Sequence, residues 1–149
     1  MGQLERDLAQ HATVAVDTAP FIYLWERHAR YFPLCELLFR YLSEPNVQGI
    51  TSVVTLIEVC VQPQRQGRLD LVEAYQRSLL QSRQLRMLSI DAPVARRAVV
   101  LRARYDIHVP DALQIAAALE AGSTAFVTND RRLSRVEEIA VLVFDDYVS

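Results

Sequence analysis

Four carboxylates stand where the strands of this chain give way to helices: Asp17, Glu58, Asp111 and Asp130. Asp17 closes the apolar run Thr13-Val14-Ala15-Val16. Glu58 ends the stretch Thr51-Ser52-Val53-Val54-Thr55-Leu56-Ile57-Glu58. Asp111 opens the alanine-rich segment Asp111-Ala112-Leu113-Gln114-Ile115-Ala116-Ala117-Ala118. Asp130 follows Ala125-Phe126-Val127 through Thr128-Asn129. Carboxylates gathered at one point repel each other and favour a cation between them. That is the outline of a divalent-metal site, whose chemistry is the activation of a bound water.

Each acid also has a plain structural explanation. Asp17 and Asp130 can cap the helices that follow them. Thr55 and Glu58 have the Thr-x-x-Glu spacing of a capping box. Asp111 lies in a first helical turn, where the macrodipole favours negative charge. Capping, however, says nothing about why the four should converge.

Convergence follows from the elements. Short β runs alternate with helical segments, which argues for a parallel α/β sheet. Strands are expected at about 13–17, 49–53, 86–89, 125–128 and 140–144. Helices are expected at 18–28, 31–43, 55–61, 67–84, 91–104 and 110–121, with a short one from about 130. Pro63 is expected to end the third of these, and Gly122 to cap the sixth. Residues 1–12 read as a polar N-terminal lead to one domain spanning 1–149. Open α/β sheets bind ligands beyond the carboxyl ends of their strands, the edge to which all four acids return.

Composition prunes the alternatives. The chain has 149 residues, 51% of them hydrophobic, enough for a core without staples. All 16 basic residues are arginine. With no lysine there is neither a phosphate-binding P-loop nor Schiff-base catalysis. Arginine itself suits phosphate, through its planar fork of donors. The formal net charge is −2, but setting the four acids aside leaves a positive remainder. Cys35 and Cys60 are isolated in apolar stretches and read as reduced core thiols. No apolar run is long enough to span a membrane, and Met1–Asp7 lacks the apolar core of a signal peptide. The chain is expected to be soluble and cytoplasmic. The segment Phe21-Ile22-Tyr23-Leu24-Trp25 is apolar on every face, so it is either buried or meets a partner.

The chain resembles the PIN-domain ribonucleases, in particular the VapC-like toxins of toxin–antitoxin pairs. The resemblance runs over about 13–147 and is carried by four segments in order: Val16-Asp17-Thr18, Thr51–Val59, Pro110–Ala118 and Val127-Thr128-Asn129-Asp130. It implies a three-layer α/β/α sandwich around a mainly parallel sheet. It implies that Asp17, Glu58, Asp111 and Asp130 bind Mg²⁺ or Mn²⁺ and carry catalysis, with Thr18 and Thr128 orienting them. Asn129 sits where some relatives carry another acid, which leaves one metal or two open. The implied reaction is metal-assisted in-line hydrolysis of an RNA phosphodiester, leaving a 5′-phosphate and a 3′-hydroxyl. Arg131 and Arg132 are candidates for substrate phosphate. A small antitoxin and a homodimer are the implied partners, with Phe21, Trp25, Tyr31 and Phe32 as candidate contacts.

Three other readings fit less well. A haloacid-dehalogenase-like phosphatase also starts from an aspartate after the first strand, but wants a second one at the position of Ala19, and a lysine. A non-catalytic binding module would be expected to have lost some of the four acids. A PIN nuclease of RNA processing differs only in biological role.

Overall fold

The computed structural model describes residues 2–148. Met1 and Ser149, the ends of the expected 1–149 unit, lie outside the described residues. Five strands, β1 (Thr13–Val16), β2 (Gln48–Ser52), β3 (Leu85–Leu88), β4 (Ala125–Thr128) and β5 (Ala140–Val143), form one sheet in the order β3-β2-β1-β4-β5. Every pairing is parallel. Seven α-helices accompany it: α1 (Gln3–Leu8), α2 (Thr18–Trp25), α3 (Phe32–Leu42), α4 (Val53–Arg65), α5 (Leu69–Leu80), α6 (Ala92–Tyr105) and α7 (Val109–Glu120). A 3-10 turn covers Arg131–Arg135.

Alternation along the strands builds two cores. Val14 and Val16 of β1, with Ala125 and Val127 of β4, face a layer that includes Leu4, Leu8, Phe21, Leu38 and Leu79. Ala15 and Phe126, one residue out of phase, face the layer of Val94, Leu101, Ile115 and Leu133. Both faces of a parallel sheet are covered by helices, so its strands are apolar throughout. The result is the expected three-layer α/β/α sandwich.

The chain runs outward from β1 to β2 and β3, then returns to the far side of β1 for β4 and β5. The strand order therefore reverses at β1 and β4, the crevice where open α/β sheets place their ligands. Close packing fixes β2 in this arrangement. A Cβ on Gly49 would lie 2.8 Å from the Gln84 carbonyl oxygen and 3.0 Å from Leu42 Cδ1.

Several local details differ from the sequence expectation. The polar lead contains the helix α1, docked by the buried Leu4 and Leu8. Pro63 does not end α4, which continues to Arg65 with the proline buried inside it. The capping box at Thr55 and Glu58 does not form. Helix α4 begins two residues earlier, where the Ser52 hydroxyl accepts from Val54 N–H at 3.2 Å. Cys35 and Cys60 are free and buried, as expected, and burial pushes the Cys35 thiol up to about 12. No helix among the described residues is long and apolar enough to cross a membrane.

Candidate active site

Asp17 sits at the point of strand reversal. Its backbone N–H extends the β1–β4 ladder by donating to Val127 O at 2.9 Å. Its side chain is 9% exposed. One carboxylate oxygen accepts from Thr18 N–H at 2.8 Å, the other from the Thr128 hydroxyl at 2.7 Å. Thr128, the last residue of β4, in turn accepts from Asp130 N–H at 3.1 Å. The ends of β1 and β4 are thus tied together through Thr128.

No arginine meets Asp17. Burial pushes its pKa up to about 6, against the lowering by Thr128 and Thr18, and the charges of Asp111 and Glu58 add to the rise. Asp111, half-buried in the first turn of α7, is also raised. Burial is again the main cause, followed by the charges of Asp130 and Glu58. Asp111 thus adds its charge to Asp17 and feels those of Asp130 and Glu58, and a cation would relieve the repulsion.

The two outer acids have partners. Glu58 is exposed on α4 and accepts from the Thr18 hydroxyl at 2.6 Å. Asp130 caps the 3-10 turn and takes the fork of Arg132, with Nε at 3.0 Å and Nη2 at 2.7 Å. That contact lowers the Asp130 pKa. Among the described residues no three Asp, Glu, His or Cys side chains close into a ready-made metal cage. The donors are nonetheless all carboxylate oxygens, and one of them is a buried charge with no cationic neighbour. Such a set fits a hard ion that keeps part of its water shell. The Arg132 fork is solvent-exposed, and exposed ion pairs add little stability, so Asp130 remains available.

A PIN domain family model matches residues 14–139. The chain belongs to the PIN domain family. Solved structures similar to it include a toxin–antitoxin complex from Klebsiella pneumoniae, with 20% identity, a TM-score of 0.67, and 88% of this chain and 97% of that one covered. A DNA-bound VapBC from Salmonella typhimurium aligns at 19% identity and TM-score 0.65, over 89% and 98% of the two chains. The VapC20 toxin of Mycobacterium tuberculosis, described as cleaving the sarcin–ricin loop, aligns at 21% and 0.62, over 76% and 86%. At these identities the likeness is one of fold. No curated protein matches the sequence.

Next to Asp17 lies a buried polar network that the sequence reading missed. Gln114 of α7 donates from Nε2 to the Thr55 hydroxyl at 2.7 Å and reaches Asp17 at 3.5 Å, and its carbonyl accepts from Ser52. Thr55 also lies 2.8 Å from the Thr51 hydroxyl, which is 2.9 Å from Val16 O. No buried side-chain polar atom among the described residues lacks a hydrogen-bond partner. The signal in the sequence was Gln114 itself, an amide inside an otherwise apolar run, one turn after Asp111.

The remaining expected site residues fall outside this cluster. Asn129 turns away from the acids, donating to the Tyr23 hydroxyl and accepting from Asp145 N–H. Arg131 pairs with Asp146 at 2.8 Å. Arg132 instead shares a small cleft with His108 and Asp111. Phe21 is 1% exposed and packs on Trp25 and Phe39, so it serves the core and not a partner surface.

Proposed function

We propose that this PIN-domain chain is a metal-dependent endoribonuclease and the toxin of a toxin–antitoxin pair. The observation that carries the reading is Asp17: a carboxylate at the strand reversal whose pKa is pushed up first by its burial and further by the charges of Asp111 and Glu58. Its VapC-like neighbours in fold support the toxin role. A bound Mg²⁺ or Mn²⁺ would supply an activated water and neutralise phosphate charge.

The chain's own residues prepare that chemistry. Thr18 N–H and Thr128 fix both oxygens of Asp17. The Thr18 hydroxyl holds Glu58 towards it. Asp111 and Asp130 add two further carboxylates coupled by charge. Arg132 can release Asp130 and offer the same fork to a substrate phosphate, for which bidentate guanidinium geometry is suited. Purified protein, free of partner, should cut total cellular RNA into discrete fragments with Mg²⁺ or Mn²⁺ and not with EDTA. Metal-independent cleavage, or none by folded protein, would reject the reading.

An antitoxin needs apolar surface beside the acids. Ile57 and Val61 provide it on α4, at 65% and 41% exposed and one turn apart. Trp25 lies half-buried on α2, stacked on Tyr75 at 4.4 Å. The homodimer belongs to the same reading. Ile57→Glu should weaken co-purification of a co-expressed antitoxin while RNA cleavage by the free toxin persists. An undiminished complex on gel filtration would count against this surface.

A further inference from the structure

The segment joining α2 to α3 carries two exposed arginines laid over aromatic rings. The Arg27 guanidinium carbon is 5.5 Å from the Phe32 ring centroid, and that of Arg30 is 5.7 Å from the Tyr31 centroid. Neither takes part in an ion pair among the described residues. Arg27 holds a left-handed backbone, φ 51°, just past the end of α2, so its placement is set by the turn.

The ring beneath Arg30, Tyr31, is anchored towards the edge that carries the acids. Tyr23, His28 and Tyr31 lie mutually 4.6–4.9 Å apart, with Phe144 behind Tyr23 and Tyr31. The Tyr31 hydroxyl donates to Asp145, whose N–H donates to Asn129. Asn129 donates to the Tyr23 hydroxyl at 3.1 Å. Asn129 directly precedes Asp130. Hydrogen bonds therefore run from Asn129, next to Asp130, to Tyr31 beneath Arg30, and Phe32 beneath Arg27 is the next residue in the chain.

Guanidinium planes and aromatic faces are the surfaces on which proteins stack unpaired RNA bases. A guanidinium already held over a ring has one planar face free and N–H edges available for phosphate. The exposed Ile57 and Val61 on α4 are apolar, the character expected for a protein contact. The basic, ring-backed margin complements nucleic acid. We infer that Arg27 and Arg30, backed by Phe32 and Tyr31, form a stacking platform for unpaired RNA bases flanking the scissile phosphate. This rests on the ribonuclease reading above.

The test uses Asp17→Asn protein, to prevent turnover, and a short single-stranded RNA containing 2-aminopurine, whose fluorescence falls on stacking. Binding to the parent should quench the probe. Adding Arg27→Ala and Arg30→Ala should weaken binding by about 5- to 150-fold, the loss of one stacked base, and abolish the quench. Arg27→Lys with Arg30→Lys keeps the charge but not the planar face, and should not restore the quench. Unchanged binding by the double-alanine protein, or full restoration by lysine, overturns the platform. Cleavage by the wild type, followed in parallel, separates the two readings. Cleavage together with unchanged double-alanine binding rejects the platform and leaves the nuclease standing. Absence of both cleavage and binding in the wild type rejects both. Unchanged RNA binding with loss of a co-expressed antitoxin assigns the surface to protein and also rejects the platform.

Discussion

Asp17→Asn is expected to lower RNA cleavage by on the order of 10³-fold or more while making the metal-free protein more stable. The rate loss corresponds to the several kcal/mol that a metal contributes to such chemistry. The gain in stability comes from burial. Burial pushes the Asp17 pKa up to about 6 in the fold from its ordinary 3.8. Between those values the folded state holds a proton that the unfolded state has released, so stability falls as pH rises through this window. Above it the full penalty persists, about 3 kcal/mol from the size of the shift. Asparagine carries no charge and avoids the penalty. Its carbonyl can still accept from Thr18 N–H, and Thr128 can turn from donor to acceptor. In EDTA at neutral pH the variant should melt several degrees higher than wild type, and the difference should close towards pH 4. Mg²⁺ should raise the wild-type melting temperature and leave the variant's nearly unchanged. A variant less stable than wild type in EDTA at neutral pH would mean that Asp17 is held as a structural cap and not as a site poised for a cation.

The fold was legible because the strands announce themselves on both sides. Thr13–Val16, Ala125–Thr128 and Ala140–Val143 are short, apolar and separated by helical patterns, which in a parallel sheet leaves little room for another arrangement. Helix α1 was not legible. It is six residues long and buries only two leucines, too few to give a period. Pro63 misled because a proline near the last turn loses only one backbone hydrogen bond. Here its ring is buried, and packing overrides its local preference.

The convergence of the candidate acids was legible, and what surrounds them less so. Asp17, Asp111 and Glu58 influence one another electrostatically across three separate segments, which strand-end placement alone anticipates. The partners of the acids were beyond reach. That Arg132 and not Arg131 grips Asp130 depends on the register of a five-residue 3-10 turn. That Asn129 turns to Tyr23 depends on where α2 packs against β4. The all-apolar α2 posed a choice between burial and partner contact, and the structure divides it: Phe21 enters the core, while Trp25 stays half-exposed.

Gln114→Leu should cut kcat by about 10- to 100-fold, the usual effect of removing a residue that orients metal-site ligands. Gln114 is 4% exposed and touches no solvent-facing part of the site. Its amide spans three elements, reaching Ser52 at the end of β2, Thr55 in α4 and Asp17 after β1. It therefore sets the spacing between the helix that carries Glu58 and the one that carries Asp111. Leucine has a similar volume but no polar atoms, so Thr55 loses its donor and Ser52 its acceptor. Thr55 retains the Thr51 and Thr18 hydroxyls, and Ser52 retains Val54 N–H. The resulting loss of stability should be about 1–3 kcal/mol, small enough for the protein to fold. A purely structural role would lower the melting temperature and leave turnover intact. A positioning role predicts a fall in kcat at nearly constant KM for RNA, together with a higher Mg²⁺ concentration at half-maximal activity. Wild-type turnover from a destabilised Gln114→Leu protein would show that the carboxylates hold their geometry without the amide between them.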